Sequence, residues 1–355
     1  MDDADGRADL RGRVGAALEA FLARQREVLD DVDPSTVALL DAAEALLLAG
    51  GKRLRPSFCW WGARGAGADD DDRLLRAAAA LELVHACALV HDDVMDASDT
   101  RRGLPTAHRR FAAQHRGEGW TGDAEQFGRS AAVLVGDLCL VWADEMLGGS
   151  GVGDAALTRA RPVYDGMRTE LMAGQHLDLL EQVRGGGTLD SALKVARYKS
   201  ARYSIERPLA LGAALAGAPP EVGEAYAAFG LPLGVAFQLR DDVLGVYGDP
   251  SVTGKPAGDD LREGKRTALV ALAVEHGDER QRALLRTHLG DPALDADGVE
   301  ALRAVLRDTG ALERTERLVD EHTEQARAAL EAAPVTEQAR AALADLADAA
   351  TARTA

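Results

Sequence analysis

The feature that most constrains this chain is an apolar pattern of helical period running almost its whole length, carried by Ala, Leu, Glu and Arg and broken only by short glycine-rich stretches. The clearest segment, LLRAAAALELVHACALVHDDVMD from Leu74 to Asp96, holds no Gly or Pro and predicts one uninterrupted helix. Breaks fall at residues 46–56, 115–123, 148–154, 184–188, 217–221 and 248–260, and none has the length or composition of an interdomain linker. No repeat of fixed period is present. The expectation is an all-α protein folded as a single domain over 1–355, with frayed ends.

Charge and cysteine content narrow the class. Asp and Glu number 58 against 41 Lys and Arg, a net charge of −17, which disfavours attraction to nucleic acid or anionic lipid. Cys59, Cys87 and Cys139 are odd in number, widely spaced and set in apolar surroundings, so they suggest neither a disulfide framework nor a zinc centre. The acidic N-terminus does not read as a leader, and no stretch approaches the ~18 apolar residues of a membrane span. The expectation is a soluble, cytoplasmic protein with no stable membrane insertion and no nucleic-acid partner.

Against that background VHDDVMDASDTRRG is conspicuous. At about 100° per residue, His85, Ala88, Asp92 and Asp96 share one helical stripe, while Leu83, Cys87, Val90 and Val94 form a separate apolar one. Like charges four apart destabilise a helix, and Asp at its C-terminal end opposes the macrodipole. Both costs are offset if a cation binds there, and hard carboxylate oxygens suit magnesium, which bridges carboxylates to phosphates. A solvated helix end is the plainer alternative for this cluster alone.

A second acidic run, FQLRDDVLGVYGD, puts Gly234, Gln238, Asp241 and Gly245 on one stripe with Asp242 beside it. The glycine-rich stretch after it carries Lys255 and Lys265. Further cations cluster in GGKRLRP (Gly51, Lys52, Arg53, Arg55) and RRG (Arg101, Arg102). In an acidic chain, two acidic clusters and several basic ones describe a place for a metal-bridged polyphosphate.

Taken jointly, GGKRLRP, DDVMD, RRG, GQHLDL, YKSAR, FQLRDDVLGVYGD and GKRT make the chain resemble the trans-isoprenyl diphosphate synthases, or polyprenyl synthetases, most closely the geranylgeranyl diphosphate synthase branch. The resemblance implies a helical bundle around a central cavity and a homodimer. It implies a magnesium-dependent prenyltransferase that condenses isopentenyl diphosphate with dimethylallyl, geranyl or farnesyl diphosphate. By it, Asp92, Asp96 and Asp241 hold Mg2+, with Asp93 and Asp242 as supporting acids. Arg101, Lys199, Ser200, Gln238, Lys255 and Lys265 match the allylic diphosphate set, Ser200 standing where the family commonly has threonine. Lys52, Arg55, His85 and Arg102 match the isopentenyl diphosphate set. Gln175 matches a pocket glutamine, and Asp178 an orienting acid. Gly245 departs from the pattern, replacing the third acid of the second motif.

The expected product follows from the first helix. Ala88, Val84, Leu81 and Ala77 continue the Asp92 stripe toward the N-terminus, with Cys87 adjoining, and only Leu81 is bulky. Leu81 lies eleven residues before Asp92, about 16 Å along a helix. That depth matches geranylgeranyl diphosphate, with a twenty-five-carbon product as the runner-up. The rivals are a related terpene cyclase, which needs no isopentenyl set, and a non-catalytic prenyltransferase subunit, for which Gly245 is the only support.

Overall fold

The computed structural model describes residues 3–185, 187–248 and 258–351. The protein is all-α; among the described residues the only β structure is a two-stranded antiparallel ribbon, β1 (Thr100–Arg101) and β2 (Leu104–Pro105). The fold divides into two compact units, one of residues 1–60 and 68–158, the other of 61–67 and 159–355.

The first unit contains α1 (Asp3–Val32), α2 (Val37–Leu48), the start of α3 (Leu54–Gly65), α4 (Asp72–Met95), α5 (Ala107–Gly117), α6 (Ala124–Gly148) and the first residues of α7 (Asp154–Arg184). Its axis is α4 packed along α6. Asp71 starts α4 by accepting from the Arg73 backbone N–H at 2.8 Å, satisfying an otherwise orphan donor. The helix ends at Asp96, whose N–H donates to the Asp92 carbonyl, and Ala97 at φ 53° reverses the chain. Leu81, Leu83, Val84 and Cys87 are fully buried with Val135 and Cys139 of α6. Length and composition would let α4 cross a bilayer, but its apolar side chains form this core. All three cysteines are free and buried.

The second unit contains the rest of α7, α8 (Leu189–Val195), a π-helical segment (Ala196–Glu206), α9 (Arg207–Ala216), α10 (Pro220–Tyr247), the short α11 (Asp259–Glu263), α12 (Ala268–His276), α13 (Glu279–His288), α14 (Ala296–Asp308), α15 (Ala311–Glu331) and α16 (Glu337–Thr351). Here α10 is central, packing on α15 and on the π segment. Glycines set how closely helices approach that segment. A Cβ on Gly174 of α7 would lie 2.3 Å from the Lys199 nitrogen, and one on Gly234 of α10 would lie 2.6 Å from the Ala201 Cα. Only glycine fits at either contact. The stretch held between them is the YKSAR motif, wound with the wider turns that recur at functional positions.

Candidate active site

In the first unit the chain brings an acidic helix end and a basic cluster together. Asp92 and Asp96 stand one turn apart at the end of α4, both partly exposed, whereas Asp93 is buried. Asp93 accepts from Arg101, whose Nε lies at 2.9 Å and whose Nη2 also donates to it. The expected supporting acid therefore fixes an expected phosphate-binding arginine against the metal-motif helix.

The RRG motif is a tight hairpin. Arg101 pairs with Leu104 across a two-residue turn in which Arg102 (φ 53°) and Gly103 (φ 76°) are both left-handed. A non-glycine residue there is uncommon. Arg102 is held by its side chain, whose Nη1 donates to the carbonyls of Gly50 at 2.9 Å and Leu46 at 3.2 Å. RRG and the GGKRLRP loop are thus tied to each other. Within that loop Arg53, also left-handed at φ 50°, is buried, pairing with Glu82 at 2.6 Å and donating to the Leu47 carbonyl. Arg53 anchors the loop to α4, while Lys52 is exposed and Arg55 partly so.

His85 sits at the centre of this charge. Its pKa falls well below the usual 6.5, first because of burial and then because Arg55, Arg102, Arg101 and Arg53 all repel an imidazolium. A neutral ring among four guanidinium groups can hydrogen-bond an anion without adding charge. The chain-length residues separate: Leu81 and Val84 are buried, Ala88 is partly exposed, and Cys87 turns toward His91, its Sγ 3.7 Å from Nδ1. Burial, then Asp137 of α6, raises the Cys87 thiol to about 12, so this cysteine packs against α6.

The second unit carries the other acidic motif. Asp241 is exposed on α10, and Asp242 is buried and accepts from Gln238 Nε2 at 2.7 Å. Burial, with the nearby Asp260 carboxylate adding to it, pushes Asp242 up to about 8 against the opposing Gln238 hydrogen bond. Asp260 of α11 is the residue sequence reasoning missed. A Cβ on Gly245 would lie 1.9 Å from Asp260 Oδ2, so the carboxylate from α11 fills the space the absent third acid leaves. Asp260 pairs with Lys265 at 3.2 Å, and Lys265 pairs with Glu263 at 2.6 Å. The signal was present in GDDLREGK, but nothing local says that its second Asp returns to α10.

Lys199 and Ser200 lie on the π segment, Ser200 buried and Lys199 Nζ 2.6 Å from Asp178 of α7. Gln175 is partly exposed one turn before Asp178. Lys255 lies outside the described residues, as does Asp249. The donor set suits a divalent cation. Among the described residues no group of three His, Cys, Asp or Glu forms a closed cage, and magnesium needs none because it keeps waters and bridges to substrate phosphates. Each unit thus offers carboxylates for a cation and lysine or arginine for phosphate oxygens.

Comparison with known proteins agrees with that chemistry. The chain aligns from end to end with a crystal structure of geranylgeranyl pyrophosphate synthase from Corynebacterium glutamicum complexed with isoprenyl diphosphate and magnesium, at 40% identity and a TM-score of 0.95, covering 100% of both chains. It is 33% identical over 314 residues to geranylfarnesyl diphosphate synthase of Aeropyrum pernix, covering 87% of this chain and 92% of that one. It is 32% identical over 306 residues to geranylgeranyl diphosphate synthase of Methanosarcina mazei, covering 85% and 87%. Residues 36–306 match the polyprenyl synthetase family profile. With that match spanning most of its length, the chain belongs to the polyprenyl synthetase family.

Proposed function

We propose that this chain is a magnesium-dependent, chain-elongating prenyltransferase that condenses isopentenyl diphosphate with an allylic diphosphate (dimethylallyl, geranyl or farnesyl), yields mainly geranylgeranyl diphosphate and releases diphosphate. Both units together serve as its one catalytic domain. The observation that carries the reading is the neutral His85 ringed by Arg53, Arg55, Arg101 and Arg102 on the helix that bears Asp92. That second anion set is what an isopentenyl partner requires and a cyclase does not.

In this reading the allylic carbon–oxygen bond breaks, its electron pair leaving with diphosphate. The isopentenyl double bond then attacks the allylic carbon, and transfer of a proton from the new tertiary cation to the released diphosphate forms the next double bond. Mg2+ held by Asp92, Asp96 and Asp241 would supply electrostatic neutralisation of the leaving diphosphate. Lys199, oriented by Asp178, Arg101, oriented by Asp93, and Gln238, Ser200, Lys255 and Lys265 hold the allylic diphosphate. Lys52, Arg55, Arg102 and His85 hold the isopentenyl diphosphate. Such preorganised cations are most effective where charge develops. Asp242 and Asp260 support the second motif. Asp260 beside Gly245 brings an acid to the place where the motif lacks one, which weighs against a non-catalytic subunit.

A cytoplasmic homodimer completes the proposal. Phe127, Leu134 and Val141 recur at seven-residue intervals along α6 with 36%, 53% and 62% of their surface exposed, an apolar stripe suited to a second copy. A twenty-five-carbon product is the second reading, favoured by the likeness to the Aeropyrum enzyme. Incubation of the purified chain alone with Mg2+ and both diphosphates tests the function. Elongated prenyl diphosphate supports it, release of diphosphate without elongation favours the cyclase, and absence of turnover favours the subunit.

A further inference from the structure

A basic cleft lies in the second unit, at the α12–α13 hairpin. A cleft of about 220 Å3 is lined there by Arg266, Val270, Val274, Arg282, Leu285 and Arg286, with no carboxylate among its lining residues. The cleft gathers three guanidinium groups in a chain of net charge −17. None of the residues assigned to the reaction above lines the cleft.

The three arginines are engaged unequally. Arg282 Nε donates to the Val274 carbonyl at 2.9 Å and its Nη2 to the Glu275 carbonyl at 3.4 Å, so it is braced on the C-terminal end of α12. Arg286 pairs with Glu279 at 2.6 Å, but both side chains are more than half exposed, and such a pair is readily exchanged for a better acceptor. Arg266 makes no hydrogen bond or ion pair among the described residues, and its Nε is buried without an acceptor. A buried donor left unmet is costly, and burial accordingly depresses the affinity of Arg266 for its proton. The other wall, Val270, Ala271, Val274 and Leu285, is apolar and buried or nearly so.

We infer that this cleft binds a phosphate ester of a short hydrocarbon alcohol, the phosphate taken by Arg266 with Arg282 and Arg286 and the hydrocarbon lying on Val270, Val274 and Leu285. Guanidinium forks match phosphate oxygens in pairs, which favours this head group. A volume below that of drug-sized pockets, about 300 Å3 and upward, limits the tail to a few carbons.

The test is hydrogen–deuterium exchange of residues 268–288 in the intact protein with EDTA present, using n-hexyl phosphate as probe and inorganic phosphate or hexanol as controls. Hexyl phosphate should slow exchange there at concentrations at least tenfold below those at which phosphate does, since burial of two methylene groups is worth roughly tenfold in affinity. Hexanol should have no effect. Arg266→Gln, a change at a partly exposed position with its fold checked by circular dichroism, should abolish the protection, and Val274→Glu should block it by giving the arginines an internal partner. No protection, equal protection by inorganic phosphate, or protection undiminished in Arg266→Gln would each overturn the inference.

Discussion

Asp260 and Gly245 are sterically exclusive: the Asp260 carboxylate stands where the side chain of any other residue at 245 would begin. The second acidic motif therefore keeps three acids near one another, Asp241, Asp242 and Asp260, drawn from two helices. Gly245→Asp alone should cost about 1–3 kcal/mol through overpacking and like-charge repulsion. Asp260→Ala alone should lower kcat. Combining Gly245→Asp with Asp260→Ala should recover stability and part of the activity, as thermal melts and steady-state assays will register. A double variant no better than its worse parent would break the link.

Two substrate sets predict two kinetic phenotypes. Asp178→Asn removes the 2.6 Å partner of Lys199 and should raise KM for the allylic diphosphate several-fold, leaving that for isopentenyl diphosphate nearly unchanged. Arg55→Ala should do the reverse. Steady-state measurements in which each substrate is varied at saturating levels of the other separate the two, and swapped phenotypes would refute the division.

His85 gives stability a dependence on pH with a definite sign. Its folded pKa lies below the ordinary 6.5, so on acidification the unfolded chain takes up the proton first. Its contribution is present above pH 6.5 and is lost as pH falls from there toward the folded value, with a slope of at most about 1.4 kcal/mol per pH unit. Melting temperature should fall less between pH 7 and 5.5 in His85→Gln than in the wild type. Equal falls would show that His85 carries no such penalty.

Product length should follow the depth of the α4 stripe. Ala88→Phe should shorten the main product toward farnesyl diphosphate, and Leu81→Ala, which empties space at a fully buried position, should lengthen it. Chromatography of dephosphorylated products reads both. Unchanged distributions in two active variants would show that this helix is not the ruler. Cys87 faces α6 and His91, so Cys87→Ala should leave product length unaltered.

What could be read from the sequence was what is local. The stretch from Leu74 to Asp96 is α4 to within two residues at its start and one at its end, and the breaks at 46–56, 115–123, 148–154, 184–188 and 217–221 fall between helices as expected, whereas most of 248–260 lies outside the described residues. The face shared by His85, Ala88, Asp92 and Asp96 follows from helical geometry alone. What escaped depends on contacts distant in sequence. Arg53 looks like one more exposed cation until Glu82 is seen beside it. The π turns of residues 196–206 lie where Gly174 and Gly234 admit two other helices. Asp260 sits in a stretch that reads as loop but forms a helical turn directed at Gly245.

We propose that Asp92 on α4 and Asp241 on α10 serve one reaction through bound metal. It is tested most directly by single-turnover assay of Asp92→Ala and Asp241→Ala at saturating Mg2+ and both diphosphates, alongside thermal melts. Each variant should melt near the wild type yet form product at least about a hundredfold more slowly, as expected when stabilisation of the leaving diphosphate is lost. Product formation within tenfold of the wild type in either folded variant would contradict it.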